Sequence, residues 1–192
     1  MRKLIYAINI TLDGCCDHTK TIADEKVMEH YTRLLGEFDL SVYGRKTYQL
    51  MVPYWPDIAK SHSETKVEND FADAFVSLNR LVFSRTLQSA AWPQTRIARG
   101  ETAQEIARLK AEPGGEIIAH GGTQFVRSLV RLGLVDRYRF YVLPFAAGEG
   151  VPLFAPDAHP GLLRLEQSTA YPSGILELVY APVSSGAPGG RS

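Results

Sequence analysis

Two hydrophobic periodicities alternate along the first two-thirds of the chain. Leu4 to Ile10 is apolar almost throughout, the pattern of a strand buried on both faces, and it ends in the turn signal Asp13-Gly14. Val27, Met28, Tyr31, Leu34 and Leu35 then recur at helical spacing, with Asp24 as a cap and Gly36 as a stop. Leu40–Tyr43 reads as the second strand and Lys46–Met51 as a short helix, after which Pro53-Tyr54-Trp55-Pro56 breaks the pattern. The charged stretch 61–70 reads as a solvated loop or helix start, with Phe71, Ala74 and Phe75 as its buried side. Leu81–Phe83 is a third strand. Thr102–Lys110 is a helix with Thr102 as its cap, and Ile117–Ala119 is another buried strand. A helix follows with Phe125, Val126, Leu129 and Val130 on one face, then a strand over Tyr138–Leu143. Beyond Pro144 the helical signal fades into loops and strands, notably Leu162–Leu165 and Ile175–Tyr180.

Strands alternating with helices predict a three-layer α/β/α fold around a mixed, mainly parallel sheet, with antiparallel strands added late. A chain of 192 residues suits one domain, expected over residues 1–182, with a Ser/Gly/Pro-rich disordered tail over 183–192. Lys and Arg (21) balance Asp and Glu (21), so no global field favours nucleic acid or an anionic membrane. No apolar run approaches the roughly 20 residues that span a bilayer, and the N-terminus lacks a signal-peptide core. A cytoplasmic location is expected. Cys15 and Cys16 read as free thiols in a loop, and with only His18 beside them they lack the ligand spacing of a zinc site, so no metal is implied.

Chemistry gathers at three strand ends: Gly44-Arg45-Lys46-Thr47, Ser84-Arg85-Thr86 and Gly121-Gly122-Thr123-Gln124. Ligands of open α/β sheets bind at the carboxyl ends of strands, where helix N-termini favour anions. Arg45, Lys46 and Arg85 add full charges, and Gly121 and Gly122 let backbone approach a pyrophosphate. Together they suggest a dinucleotide lying across the strand ends. The Gly-x-Gly-x-x-Gly spacing of a Rossmann site is absent.

In this order and spacing, these segments resemble the dihydrofolate reductase superfamily. Within it they resemble the reductase domain at the C-terminus of bacterial riboflavin-biosynthesis proteins (RibD). Thr11-Leu12-Asp13-Gly14, Leu134-Val135-Asp136, Leu143-Pro144 and Gly148-Glu149-Gly150-Val151-Pro152-Leu153-Phe154 belong to the same pattern. The resemblance implies NADPH as cofactor. Gly44, Arg45 and Thr47 would hold its phosphates, Ser84 and Arg85 its adenosine 2′-phosphate end, and Gly121, Gly122, Thr123 and Gln124 its pyrophosphate. Ala7 would border the nicotinamide. It also implies a homodimer through the late strands.

The substrate side departs from the family. Dihydrofolate reductases carry an acid on the first helix at the position that falls on Met28, and riboflavin-pathway reductases carry an Asp pair where this chain reads Tyr48 to Pro53. The expected activity is hydride transfer to a small pterin-like or pyrimidine-like heterocycle, as in the reductase acting on 5-amino-6-(5-phosphoribosylamino)uracil. Tyr48, Tyr54 and Trp55 offer an aromatic wall for such a ring, and Asp13, Glu25 and Glu29 are the candidate proton donors. Dihydrofolate reductase itself and a non-catalytic NADP-binding sensor or scaffold are the alternatives.

Overall fold

In the computed structural model, which describes residues 1–16 and 24–183, the apolar runs become the middle of one sheet. The chain runs through β1 (Leu4–Thr11), β2 (Cys15–Cys16), α1 (Glu25–Leu35), β3 (Phe38–Gly44), α2 (Arg45–Met51), α3 (Trp55–Ser61), α4 (Lys66–Ser77), β4 (Asn79–Phe83) and β5 (Thr95–Ala98). It continues through α5 (Thr102–Ala111), β6 (Glu116–His120), α6 (Thr123–Arg131), β7 (Arg137–Leu143), β8 (Val151–Pro152), β9 (Leu163–Ala170) and β10 (Leu176–Pro182). Eight strands pair in the order β5-β4-β3-β6-β1-β7-β10-β9. The first six are parallel, and β10 and β9 add antiparallel at one edge. The fold is therefore a mostly parallel mixed α/β sheet, as the alternation of periods predicts.

Strand alternation divides the core. Leu4, Tyr6, Val42, Leu81 and Ala119 face α5 and α6 through Ile106, Leu109, Val126 and Leu129. Ile5, Ala7, Tyr43, Val82 and Ile118 face α1, α2 and α4 through Leu34, Leu35, Tyr48, Phe71 and Phe75. Asp24 caps α1 by accepting from the Val27 N–H, and Gly36 ends it, as read from the sequence. The stretch expected to be loop or helix start contains the start of α4, fixed by a capping box between Thr65 and Glu68.

Four differences have local causes. The Pro-rich break contains α3, because Pro56 sits in its first turn, where its missing N–H is harmless. β5 is a four-residue edge strand with alternating polar residues, too short to stand out. Thr102 is the first helical residue rather than the cap, which is Glu101 and makes no side-chain bond. Cys15 and Cys16 are free thiols but form β2, paired with β8. His18 and the tail from 184 lie outside the described residues.

On the α4 side, the register sets Arg80 opposite Ser41 and brings Tyr43 beside His120. Arg80 is only 2% exposed, with its guanidinium carbon 3.8 Å from the Trp92 ring centre and Nη2 donating to the Phe75 carbonyl at 2.5 Å. His120 stacks on Tyr43 at 5.3 Å, and its Nε2 is buried without a partner among the described residues. Burial, with the Arg80 charge behind it, pulls the His120 pKa down to about 4. The folded protein thus refuses a proton that the unfolded chain accepts from about pH 6.5 downward. Stability should fall between pH 6.5 and 4, by about 3 kcal/mol from this group. His120→Phe keeps the stack and should flatten that limb in urea denaturation across this range; an unchanged slope would refute the assignment.

Candidate functional site

The three polar strand ends meet because β4, β3 and β6 are consecutive and parallel. Their contact is tight. A Cβ at Gly44 would stand 2.8 Å from Phe125 Cβ. Gly121 and Gly122 have φ of +44° and +72°, and a Cβ on Gly122 would come within 2.6 Å of Thr47 Oγ1. Phe125 in turn stacks on Phe83, with ring centres 5.1 Å apart, so α6 is seated across the ends of β3 and β4. Glycine at these positions lets backbone meet backbone, and it leaves the α6 N-terminus without a side-chain cap.

Above this junction lies a groove of about 590 Å³. Of the expected cofactor residues, Gly44, Arg45, Thr47, Ser84, Arg85, Gly122, Thr123 and Gln124 line it. Ser84 Oγ accepts from the N–H groups of Thr86 and Leu87, which fixes its turn. Lys46, Arg99 and Arg127 add to Arg45 and Arg85, so five cations face one carboxylate, Glu101, which stands 4.0 Å from Arg85. Arg99 and Arg127 were not legible as site residues. Arg99 follows the unread strand β5, and Arg127 lies one turn into α6, anchored on the Pro152 and Leu153 carbonyls. A cradle of glycine, an open helix N-terminus and concentrated positive charge fit a phosphorylated dinucleotide.

Ala7 stands apart from the groove, paired in register with His120 in the middle of the sheet. Half-buried Met28, Tyr31, Met51, Val52 and Trp55 pack against the same apolar cluster. The expected aromatic wall divides. Tyr48 is 3% exposed, edge-on to Tyr43, with its hydroxyl accepting from the Trp92 N–H, so its position on α2 points it into the core rather than toward a ligand. Trp55 is wedged between Tyr54 and Phe71, and Tyr54 is half exposed.

The candidate acids are likewise separated. Asp13 accepts from the Thr11 hydroxyl and from the N–H groups of Ala147 (3.1 Å) and Gly148 (2.8 Å). These bonds, the Thr11 one first, lower its pKa to about 2 and make it a fixed tie between two loops. Glu25 is exposed in the first turn of α1, and Glu29 accepts from Lys26 at 3.3 Å. A further carboxylate, Glu177, is buried under α1. It accepts from His30 and Tyr141 on one oxygen and Tyr171 on the other, and it is paired with Arg139. Burial opposes its ionisation, but the His30 bond and the Arg139 charge hold its carboxyl below the ordinary range. Among the described residues no group of three or more His, Cys, Asp or Glu is placed to hold a metal ion, and no helix is long and apolar enough to cross a membrane.

The family model for the RibD C-terminal domain matches residues 2–176. The chain is 29% identical over 182 residues to the uncharacterized protein YyaP of Bacillus subtilis (strain 168), covering 93% of this chain and 94% of that one. Its fold is similar to that of a putative riboflavin biosynthesis protein from Shewanella sp. PV-4, with a TM-score of 0.68 and 18% identity over 93% of this chain and 98% of that one. It is also similar to a pyrimidine reductase-like protein from Corynebacterium diphtheriae, with a TM-score of 0.64 and 17% identity over 95% and 92% of the two chains.

The glycine–threonine contact can be tested on stability alone. Gly122→Ala should cost about 1–3 kcal/mol, from both the left-handed backbone and the overlap with Thr47. Adding Thr47→Ala should recover the overlap and leave the backbone cost. Urea denaturation showing equal stability for wild type and Gly122→Ala would contradict the packing.

Proposed function

The chain belongs to the RibD C-terminal domain family, and from that premise we propose that it is a cytoplasmic NADPH-dependent reductase of a small heterocycle of pterin or pyrimidine type. The observation that carries this reading is the groove where three strand-end turns meet over Gly44, Gly122 and Thr47 with five cations around one carboxylate. Arg45, Thr47 and the open N-terminus of α6 suit the phosphates, and Ser84 and Arg85 suit a 2′-phosphate, which favours NADPH over NADH. When bound, the cofactor supplies a hydride.

The chain's own part is positioning and exclusion of water. The half-buried residues Met28, Tyr31, Met51, Val52 and Trp55 form a largely apolar wall near Ala7, against which a flat ring can pack. Tyr48 supports that wall from within, and Tyr54 flanks it. Asp13 serves by fixing the loop at Ala147 and Gly148. The proton that accompanies reduction then enters from the start of α1, where Glu25 and Glu29 meet solvent. We also propose that two copies pair through β9, the edge strand, where Leu165 and the neighbouring Leu162 are exposed; light scattering reads this directly.

NADPH should quench the Tyr/Trp fluorescence of the protein at micromolar concentration, with NADH weaker. Arg45→Ala combined with Arg85→Ala should weaken NADPH by about tenfold or more, the scale of lost charge-assisted bonds. Equal affinity in that double variant would overturn the assignment. Tight binding without NADPH oxidation across pterins, flavin precursors and carbonyls would favour a sensor, and methotrexate-sensitive turnover of dihydrofolate would favour dihydrofolate reductase.

A further inference from the structure

Asn9 is exposed although it lies on β1, which has β6 on one side and β7 on the other. Alternation places it on the same face as Ile5 and Ala7, which are covered by the α1 and α4 layer. Among the described residues cover therefore stops short of Asn9, and its polar side chain is exposed over the sheet. Its environment is built rather than incidental. The Tyr31 hydroxyl donates to Asn9 Oδ1 at 3.2 Å. Tyr31 is itself held against Tyr141, the residue paired with Asn9 on β7, with ring centres 4.4 Å apart. Tyr141 is buried and bonded to Glu177 at 3.3 Å.

This bond fixes the polarity of the amide. With Oδ1 occupied by Tyr31, Asn9 turns its Nδ2 donors toward the exposed side, and among the described residues Nδ2 has no partner. Of the carboxylates around this region, Asp13 is held on the loop amides, Glu177 in its buried network and Glu29 on Lys26, while Glu25 stands exposed in the first turn of α1. Asn9 itself thus offers a neutral donor where a cationic amidine edge needs an anionic acceptor.

Resting on the reductase reading, we propose that Asn9, oriented by Tyr31, reads a carbonyl oxygen of a neutral heterocycle. The site then selects oxo-substituted rings over protonated diamino-substituted ones. Asn9 is the contact and Tyr31 a positioning residue.

The test is calorimetric titration of the full chain with lumazine, a dioxopteridine, and with the corresponding diaminopteridine, at mildly acidic pH where the latter is protonated. NADPH is titrated separately as a control. Wild type should prefer lumazine by about tenfold or more. Asn9→Asp, which adds a carboxylate at nearly constant shape, should gain the diamino ring and lose lumazine, inverting the order. Tyr31→Phe, which frees Oδ1 to turn, should bring the two affinities together. NADPH affinity should stay constant in both variants. An unchanged lumazine preference in Asn9→Asp overturns the inference and leaves the reductase reading standing if NADPH still binds. Failure of wild type to bind NADPH overturns the reductase reading, while the ring preference still decides the role of Asn9.

Discussion

At the carboxyl ends of β3 and β6 there is no room for two side chains. Thr47 takes the space that Gly122 leaves, and Phe125 takes the space that Gly44 leaves. This steric exchange sets how closely the first turn of α2 approaches the start of α6, and hence where the cations of three separate turns converge. It explains why glycine is used at positions that do not merely reverse the chain. Gly44 has an ordinary backbone conformation, with φ of −79°, so its requirement is one of space. Gly122 is constrained twice, by space and by its left-handed φ.

The rest of the sheet face supports that junction by keeping its middle neutral. Tyr43, His120, Ala7 and Asn9 come from neighbouring strands, and two buried charges flank them, Arg80 on one side and Glu177 on the other. The two are stabilised differently. Glu177 has a full set of donors and an arginine partner, whereas Arg80 relies on aromatic faces and one carbonyl. The Arg80 charge helps to keep His120 unprotonated near neutral pH, so the residue entering the Gly121-Gly122 turn carries no charge of its own. On the proposed reading, selectivity would rest on the cations of the groove and on the donor at Asn9.

Much of the fold is legible in the sequence because its parallel strands are continuous apolar runs, as at Leu4–Ile10 and Ile117–Ala119. What escapes is what depends on company. β5 has too few residues to show a period, and Pro56 reads as a breaker until its place in a first helical turn is known. In the site, glycine beside basic residues marks the three turns, but Arg99 is hidden behind the unread strand. Tyr48 follows the basic turn in sequence, yet it is the buried residue of α2. Asn9 looks like a blemish in an apolar strand, and its meaning comes only from its exposure among the described residues and the hydroxyl of Tyr31 beside it.

The central proposal is that the strand-end groove holds NADPH with its reactive end directed toward Ala7. Amide chemical shifts of the isotope-labelled protein, followed during NADPH titration, test it most directly. The account predicts saturable shifts at Gly44–Thr47, Ser84–Arg85 and Gly121–Gln124, extending to Ala7. Shifts confined to other surfaces, or none at saturating NADPH, would contradict it.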